Sequence, residues 1–407
     1  MGCDNVGTNS SAVGTNTIAS GADSHAEGTE TIATGMCAHV EGCTFDGAFT
    51  FLFSEGSVTV GTAGVTGYNV ASGVGAHVEG AGNTGSGNYS HAEGLYTLAS
   101  NLATHAEGSG TIASGEGSHA EGLGSTASGS AAHAEGAQNT ASGENSHAEG
   151  WQGIASGEHS HVEGRNCQAT NTSTHAEGHF TTSSGFPASH SEGVSTTASG
   201  YNGSHAEGNI TTASNGAAHA EGDNTIASGP ASHAEGQGTI ANEHVTHAGG
   251  YQSMSFQPGQ FSRAYGGFTT QIGDTGAVGA GTAQYAIHHL GLQTETTNLN
   301  QEMFPLGGSP QLTIPNRTAW GITAYLTGTD LTATNPTVYT YATLTGFYYR
   351  DAGTAVEIAS IATNTIATAG TGILAISGGA GSISVFVNPT IINTRWNATI
   401  TVTNVAF

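Results

Sequence analysis

A single phrase, His-x-Glu-Gly, returns at a fixed interval through more than half of this chain. Its histidine stands at His25, His39, His77, His91, His105, His119, His133, His147, His161, His175, His190, His205, His219 and His233. Nearly all the intervals are fourteen residues; those ending at His190 and His205 are fifteen, and the one from His39 to His77 is thirty-eight. A Ser usually precedes the histidine, and a second phrase, Thr-x-Ala-Ser-Gly, completes the period, as at Thr111-Ile112-Ala113-Ser114-Gly115 and, with Ser for the Thr, on through Thr126-Ala127-Ser128-Gly129. Self-similarity at such a period marks a repeat architecture, in which each unit is one rung that buries its face only by stacking on its neighbours. Gly and Ser-Gly divide each rung into two short extended segments, and no helix tolerates this density of Gly, Ser and Thr. The expected fold class is therefore all-β, with a parallel β-roll solenoid of fourteen-residue rungs.

Side chains alternate along a strand, so His and Glu of one rung point one way and the residue between them points the other. That inward residue is Ala, or Val at Val40, Val78 and Val162, which leaves room only for a thin interior. In the second segment Thr and Ala share a face, as in Thr31-Ile32-Ala33, and close that interior with small groups. The His and Glu columns are thereby assigned to an outer face.

These residues resemble the head repeat of trimeric autotransporter adhesins of the YadA type, whose rungs read Ser-Val-Ala-Ile-Gly and then Ala-x-Ala-x-Gly at the same period. Over roughly residues 5–275 the spacing, the Ser, the Ala and both Gly agree, and Ser10-Ser11-Ala12-Val13-Gly14 keeps a more apolar form. The resemblance implies a left-handed β-roll and a homotrimer with the Val and Ile positions facing the threefold axis. Here His stands for Val and Glu for Ile. The implied trimer seam is accordingly His25, Glu27, His91, Glu93, His105, Glu107, His119, Glu121, His133, Glu135, His147 and Glu149, a set of imidazole and carboxylate rings in place of a dry axis.

Composition supports a solenoid over a disordered chain: 64 Gly, 9% charged residues and 36% hydrophobic residues, many of them Ala. There is no lysine, and a formal charge of -25 makes nucleic acid or an anionic membrane a poor partner. No run of about twenty apolar residues is present and the N-terminus has no signal pattern, so neither membrane insertion nor a secretion signal is expected. Cys3 and Cys167 fall on the inward Thr position and read as packing residues, whereas Cys37 and Cys43 flank one histidine and could bridge.

Taken in order, the sequence divides into a roll over residues 1–275, a neck over 276–310 and a C-terminal domain over 311–407. The first fourteen residues enter as a terminal rung without His or Glu. The long interval holds an inserted β-hairpin at about 44–68, with Phe49, Phe51 and Phe53 on one strand and Ser57-Val58-Thr59-Val60 on the other. Those phenylalanines suit either docking onto a neighbour at the N-terminal end of the particle or packing over the chain's own roll. His159, His179 and His244 lie outside the motif and read as surface residues, and the last rung is aligned as Ser262-Arg263-Ala264-Tyr265-Gly266, with Arg and Tyr on the two facing positions. Beyond residue 311, short alternating runs such as Ile322-Thr323-Ala324-Tyr325-Leu326-Thr327 indicate an antiparallel β-sandwich.

That segment is similar to the C-terminal domain of many tailed-phage fibre proteins. The words in common are Gly281-Thr282-Ala283-Gln284, Thr313-Ile314-Pro315-Asn316 with Thr318-Ala319-Trp320, then Gly346-Phe347-Tyr348-Tyr349-Arg350-Asp351-Ala352-Gly353, and Thr394-Arg395-Trp396. The resemblance implies a trimeric distal domain. Recognition sites favour aromatics, so Trp320, Tyr348 and Tyr349 are candidates for contact with a host surface receptor, a glycan among them.

The chemistry expected of the ladder is structural. His and Glu spaced i, i+2 on stacked strands invite ions, and His105, His119 and His133 are the positions where a ring of imidazoles could hold one. A reaction centre needs a singular constellation, and fourteen equivalent rungs offer none; the chain is read as a non-enzyme without a cofactor. Carboxylates beside the imidazoles are expected to raise histidine pKa values on folding unless desolvation outweighs them. The functional expectation is a trimeric fibre of a tailed-phage virion, displayed on the virion surface, that meets its receptor at the distal domain. The alternative is a bacterial surface adhesin or extracellular filament subunit.

Overall fold

The structure is a computed structural model of the chain. It describes residues 4–5, 7–42, 49–53, 56–60, 68–267, 282–294, 301–305, 312–313, 318–330, 338–350, 356–365, 375–379, 382–387 and 394–406, with side chains over 7–42 and 68–264 and at 285–287, 321–325, 345 and 398–402. Two compact units, Met1–Gly203 and Ser204–Phe407, divide it. Every regular element among the described residues is a β-strand, and no helix there is long and apolar enough to cross a membrane. The repeat forms a parallel β-solenoid of about 16 turns.

One rung of the first unit shows how the sequence builds it. The strand His105–Ser109 pairs in parallel with His91–Leu95, and every residue faces its counterpart one period away. The second segment is only the two residues Ile112–Ala113, paired with Leu98–Ala99 on one side and Thr126–Ala127 on the other. Between the two parallel sheets lie Ala106, Ala113, Ala120 and Ala127, all fully buried together with Val40, Val78 and Val162 at the same inward position. Thr111 and Ser125 complete the thin interior. Cys167 occupies that position as well and is buried, Cys37 is exposed, and Cys3 and Cys43 lie outside the described residues.

Corners explain the Ser and Gly. At several corners the serine hydroxyl before the histidine turns back on the glycine three residues earlier: Ser24 Oγ donates to the Gly21 carbonyl at 2.8 Å, Ser146 Oγ to Gly143 at 2.7 Å and Ser160 Oγ to Gly157 at 2.7 Å. Where Thr replaces Ser the contact persists, from Thr104 Oγ1 to the Asn101 carbonyl at 2.9 Å. The glycine of the His-x-Glu-Gly phrase has a different duty. Gly108 sits at φ +101, and a Cβ there would overlap the carbonyl oxygen of Gly122 in the next rung. Strand spacing sets that approach, so any side chain would force the rungs apart.

The hairpin strands Phe49–Phe53 and Gly56–Val60 are antiparallel, with Phe49 opposite Val60 and Phe53 opposite Gly56. The side chains of Phe49, Phe51 and Phe53 lie outside those described.

In the second unit the rungs run from His205–Asn209 to His247–Tyr251 and end on the strand Phe261–Gly267. The register there corrects the sequence alignment of the last rung by two residues: Phe261 faces His247, and Arg263 faces Gly249 at the Glu position. The period of fourteen, enforced by backbone pairing, outranks the local Ser-x-Ala-x-Gly likeness that misplaced it. Phe261–Gly267 then pairs antiparallel with Thr282–Thr294, within the stretch assigned to the neck.

Thr282–Thr294 continues into a long-stranded antiparallel sheet. It pairs with Thr394–Ala406, which pairs in turn with Thr318–Asp330, followed by Val338–Arg350 and Val356–Thr365. A smaller set joins Gln301–Pro305 and Leu312–Thr313 to Ser382–Val387, and Ser382–Val387 to Ala375–Gly379. Alternation is visible where side chains are described: Ala286, Ile322, Ala324, Ala398, Ile400 and Val402 are buried, whereas Tyr285 and Tyr325 are exposed.

Candidate functional site

The strand pairing that places His91 beside His105 and Glu93 beside Glu107 also fixes the ladder on the outside of the roll. Imidazoles of successive rungs stack face to face. Ring centroids are 4.7 Å apart for His91 and His105, 4.5 Å for His105 and His119, 4.9 Å for His119 and His133, and 4.8 Å for His133 and His147, with planes within 8° of parallel. Stacking breaks toward the first rung, where His25 meets His39 edge-on at 62°. In the second unit His205, His219 and His233 stack in the same way, and Phe261 takes over the histidine position by stacking on His247 at 4.7 Å.

In most rungs the carboxylate lies beside the imidazole of its own rung. Nε2 to Oε2 is 3.3 Å for His25 and Glu27, 3.2 Å for His91 and Glu93, 3.5 Å for His105 and Glu107, and 3.7 Å for the three rungs His119 with Glu121, His133 with Glu135 and His147 with Glu149. Only the first of these pairs is a hydrogen bond. In the other five the Nε2 atom is buried and has no hydrogen-bond partner, although each imidazole side chain remains about a third exposed. Toward the end of the ladder the carboxylate leans across rungs, with His247 Nε2 3.4 Å from Glu235 Oε1.

This geometry decides the direction of titration, and it corrects the expectation that folding raises the histidine pKa values. His39, His105, His147, His175 and His233 are all held below the ordinary imidazole value, first by burial of the ring and then by repulsion from stacked histidines. Neighbouring carboxylates pull the other way and lose. The short distances look like ion pairs, but a ring pressed between two others loses more hydration than one partly exposed carboxylate returns. At these five positions burial and stacking favour the neutral imidazole.

The candidate ion positions fall into groups of three donors. His91, Glu93 and His105, then His105, Glu107 and His119, and then His133, Glu135 and His147 each bring one ligand atom within 4.8 Å of the other two. Of the aromatic candidates, Trp320 and Tyr348 are register partners, and Tyr349 pairs with Ala319; their side chains lie outside those described. His159 and His244 are exposed and His179 is half-buried against Phe180, with ring centroids 4.3 Å apart. One constellation escaped the sequence reading: Arg165 lies 4.4 Å over the Trp151 ring and faces His179 in the following rung. Their fourteen-residue spacing was the available signal, masked because the position after the motif glycine varies freely.

No family model matches the chain. No curated protein matches it either. Among solved structures it is similar to a tailspike protein of Acinetobacter baumannii bacteriophage Fri1, a capsular polysaccharide depolymerase, at 10% identity and a TM-score of 0.23, covering 98% of this chain and 81% of that one. That protein is an enzyme by its description, so the reading of this chain as a non-enzyme is corrected and withdrawn. A likeness of this level carries no argument about activity, and no catalytic residue is assigned from it.

Proposed function

We propose that the chain is the subunit of a homotrimeric fibre or appendage on the surface of a tailed-phage virion. The observation that carries this reading is the outer ladder: one chemistry repeated rung after rung, with buried imidazole nitrogens at His91, His105, His119, His133 and His147 that lack hydrogen-bond partners in a single chain. Unpartnered buried polar atoms are destabilising, and a second copy set in parallel register would level each imidazole with a carboxylate of its neighbour. Three such interfaces close into a ring when the rotation between copies is threefold. In this reading the hairpin Phe49–Phe53 and Gly56–Val60 attaches to a neighbour at the N-terminal end. The sheet formed from residues 311–407, a sandwich domain in this proposal, meets the host receptor with Trp320, Tyr348 and Tyr349 among its contacts. The resemblances of the repeat to adhesin heads and of the terminal words to phage fibre domains support the same assignment.

Purified virions from a lysate that contains the chain provide the test. Labelling with an antibody against the full chain should decorate a tail appendage, and quantitative mass spectrometry should give copies per virion in multiples of three. A chain found only in cell-surface or secreted filaments, with unlabelled virions, would replace this reading with the adhesin or filament one.

A further inference from the structure

The rungs from His91 to His147 each hold a nitrogen and an oxygen donor close together that form no hydrogen bond with one another. His91 Nε2 and Glu93 Oε2 are 3.2 Å apart, and His105 Nε2 and Glu107 Oε2 are 3.5 Å apart, yet neither imidazole makes a hydrogen bond there. The two atoms are close but not aimed at each other. Ligands about 2.0–2.1 Å from a tetrahedral ion stand about 3.3 Å from one another, and their lone pairs converge on a third point instead of on each other. The imidazole of the following rung supplies a third donor, because His91, Glu93 and His105 keep their ligand atoms within 4.8 Å of one another.

We propose that the outer ladder binds borderline divalent transition cations such as Zn2+, each held by the His and Glu of one rung and the His of the next. Binding is a property of one chain and stands whether or not three chains assemble. The donor set, two imidazoles and a carboxylate, suits zinc-like ions over Mg2+ or Ca2+, which prefer all-oxygen shells. Closing the third ligand onto the ion needs rotation of one ring out of its stack, which the exposed outer edge permits. Successive groups share a histidine, as His105 is shared by the first two, so neighbouring sites compete and occupancy rises in steps along the ladder.

The experiment uses the full chain, stripped with a chelator and dialysed against Zn2+ alone, with bound metal counted by elemental analysis. Several ions per chain and a melting temperature raised by Zn2+ are expected. The combined variant E93Q, E107Q, E121Q and E135Q keeps side-chain size; its uptake should fall in proportion to the rungs altered. Visible absorption after Co2+ loading should show a four-coordinate nitrogen and oxygen site, weakened in the variant. Less than one ion per chain, or a variant that takes up as much as the original, would overturn the proposal; the second result would mean that ions sit on histidines alone.

Discussion

The rungs of the first unit and the antiparallel sheet at the end of the second solve the same problem with opposite materials. In the roll, parallel strands of two to five residues such as Ile112–Ala113 and His105–Ser109 enclose mostly Ala, Ser and Thr, with an occasional Val, Asn or Cys, and each rung leans on the rung before and after it. In the terminal sheet, strands of thirteen residues bring distant segments together, with Ala283 opposite Val405, and bury Ile322, Ile400 and Val402. Backbone pairing at close approach carries the first; apolar side-chain burial carries the second. The two regions should therefore fail under opposite mutations, since one has no space to fill and the other has volume to lose.

The most severe expected change is in the roll. Gly108→Val places a side chain at φ +101 and against the Gly122 carbonyl; a loss above about 4 kcal/mol, the range of gross steric conflicts, is expected in denaturant titration. Ile400→Ala, in the terminal sheet where this residue is fully buried, should cost about 2–5 kcal/mol in the same assay. Next comes Ala127→Leu, which overfills a rung whose inward neighbours Ala113 and Ala141 are fully buried, with a loss of about 1–3 kcal/mol. If the Leu were tolerated in the roll as a large residue is in the sheet, the division between the two regions would fail.

Acid should separate the regions as well. His39, His105, His147, His175 and His233 have folded pKa values below the unfolded value of about 6.5. The unfolded chain therefore takes up protons first as pH falls. Stability from these groups is complete above pH ~6.5 and is lost as pH drops through the lower folded values. A melting series should be flat from neutral to alkaline pH and decline on the acid side. An alkaline decline would restore charged histidines. The smallest effect is a gain: Val245 is β-branched, exposed and held at φ 54, so Val245→Asn should stabilise by about 1 kcal/mol.

Much of this was legible in the residues because the period is so regular. Fourteen-residue spacing fixed which residues face each other, and alternation placed Ala106 and Val40 inside and His105 and Glu107 outside. The state of the ladder was not legible. Spacing shows that His and Glu are neighbours, whereas the sign of the pKa shift depends on ring stacking at 4.5 to 4.9 Å, which removes water from both faces of an imidazole. The last rung departs from its local likeness around Ala264 because backbone pairing keeps the fourteen-residue count from His247 to Phe261. Left-handed corners at residues such as Ile210 and Val245 were invisible for a related reason, since stacking imposes a conformation that the residue itself disfavours.

The proposed homotrimer covers the ladder with other copies of the chain, and the mass of the particle at neutral pH tests that most directly. Sedimentation equilibrium of the full chain in dilute buffer should give three chains per particle, 40.5 kDa each. A stable particle of one chain, folded and with its histidine face open to water, would contradict it.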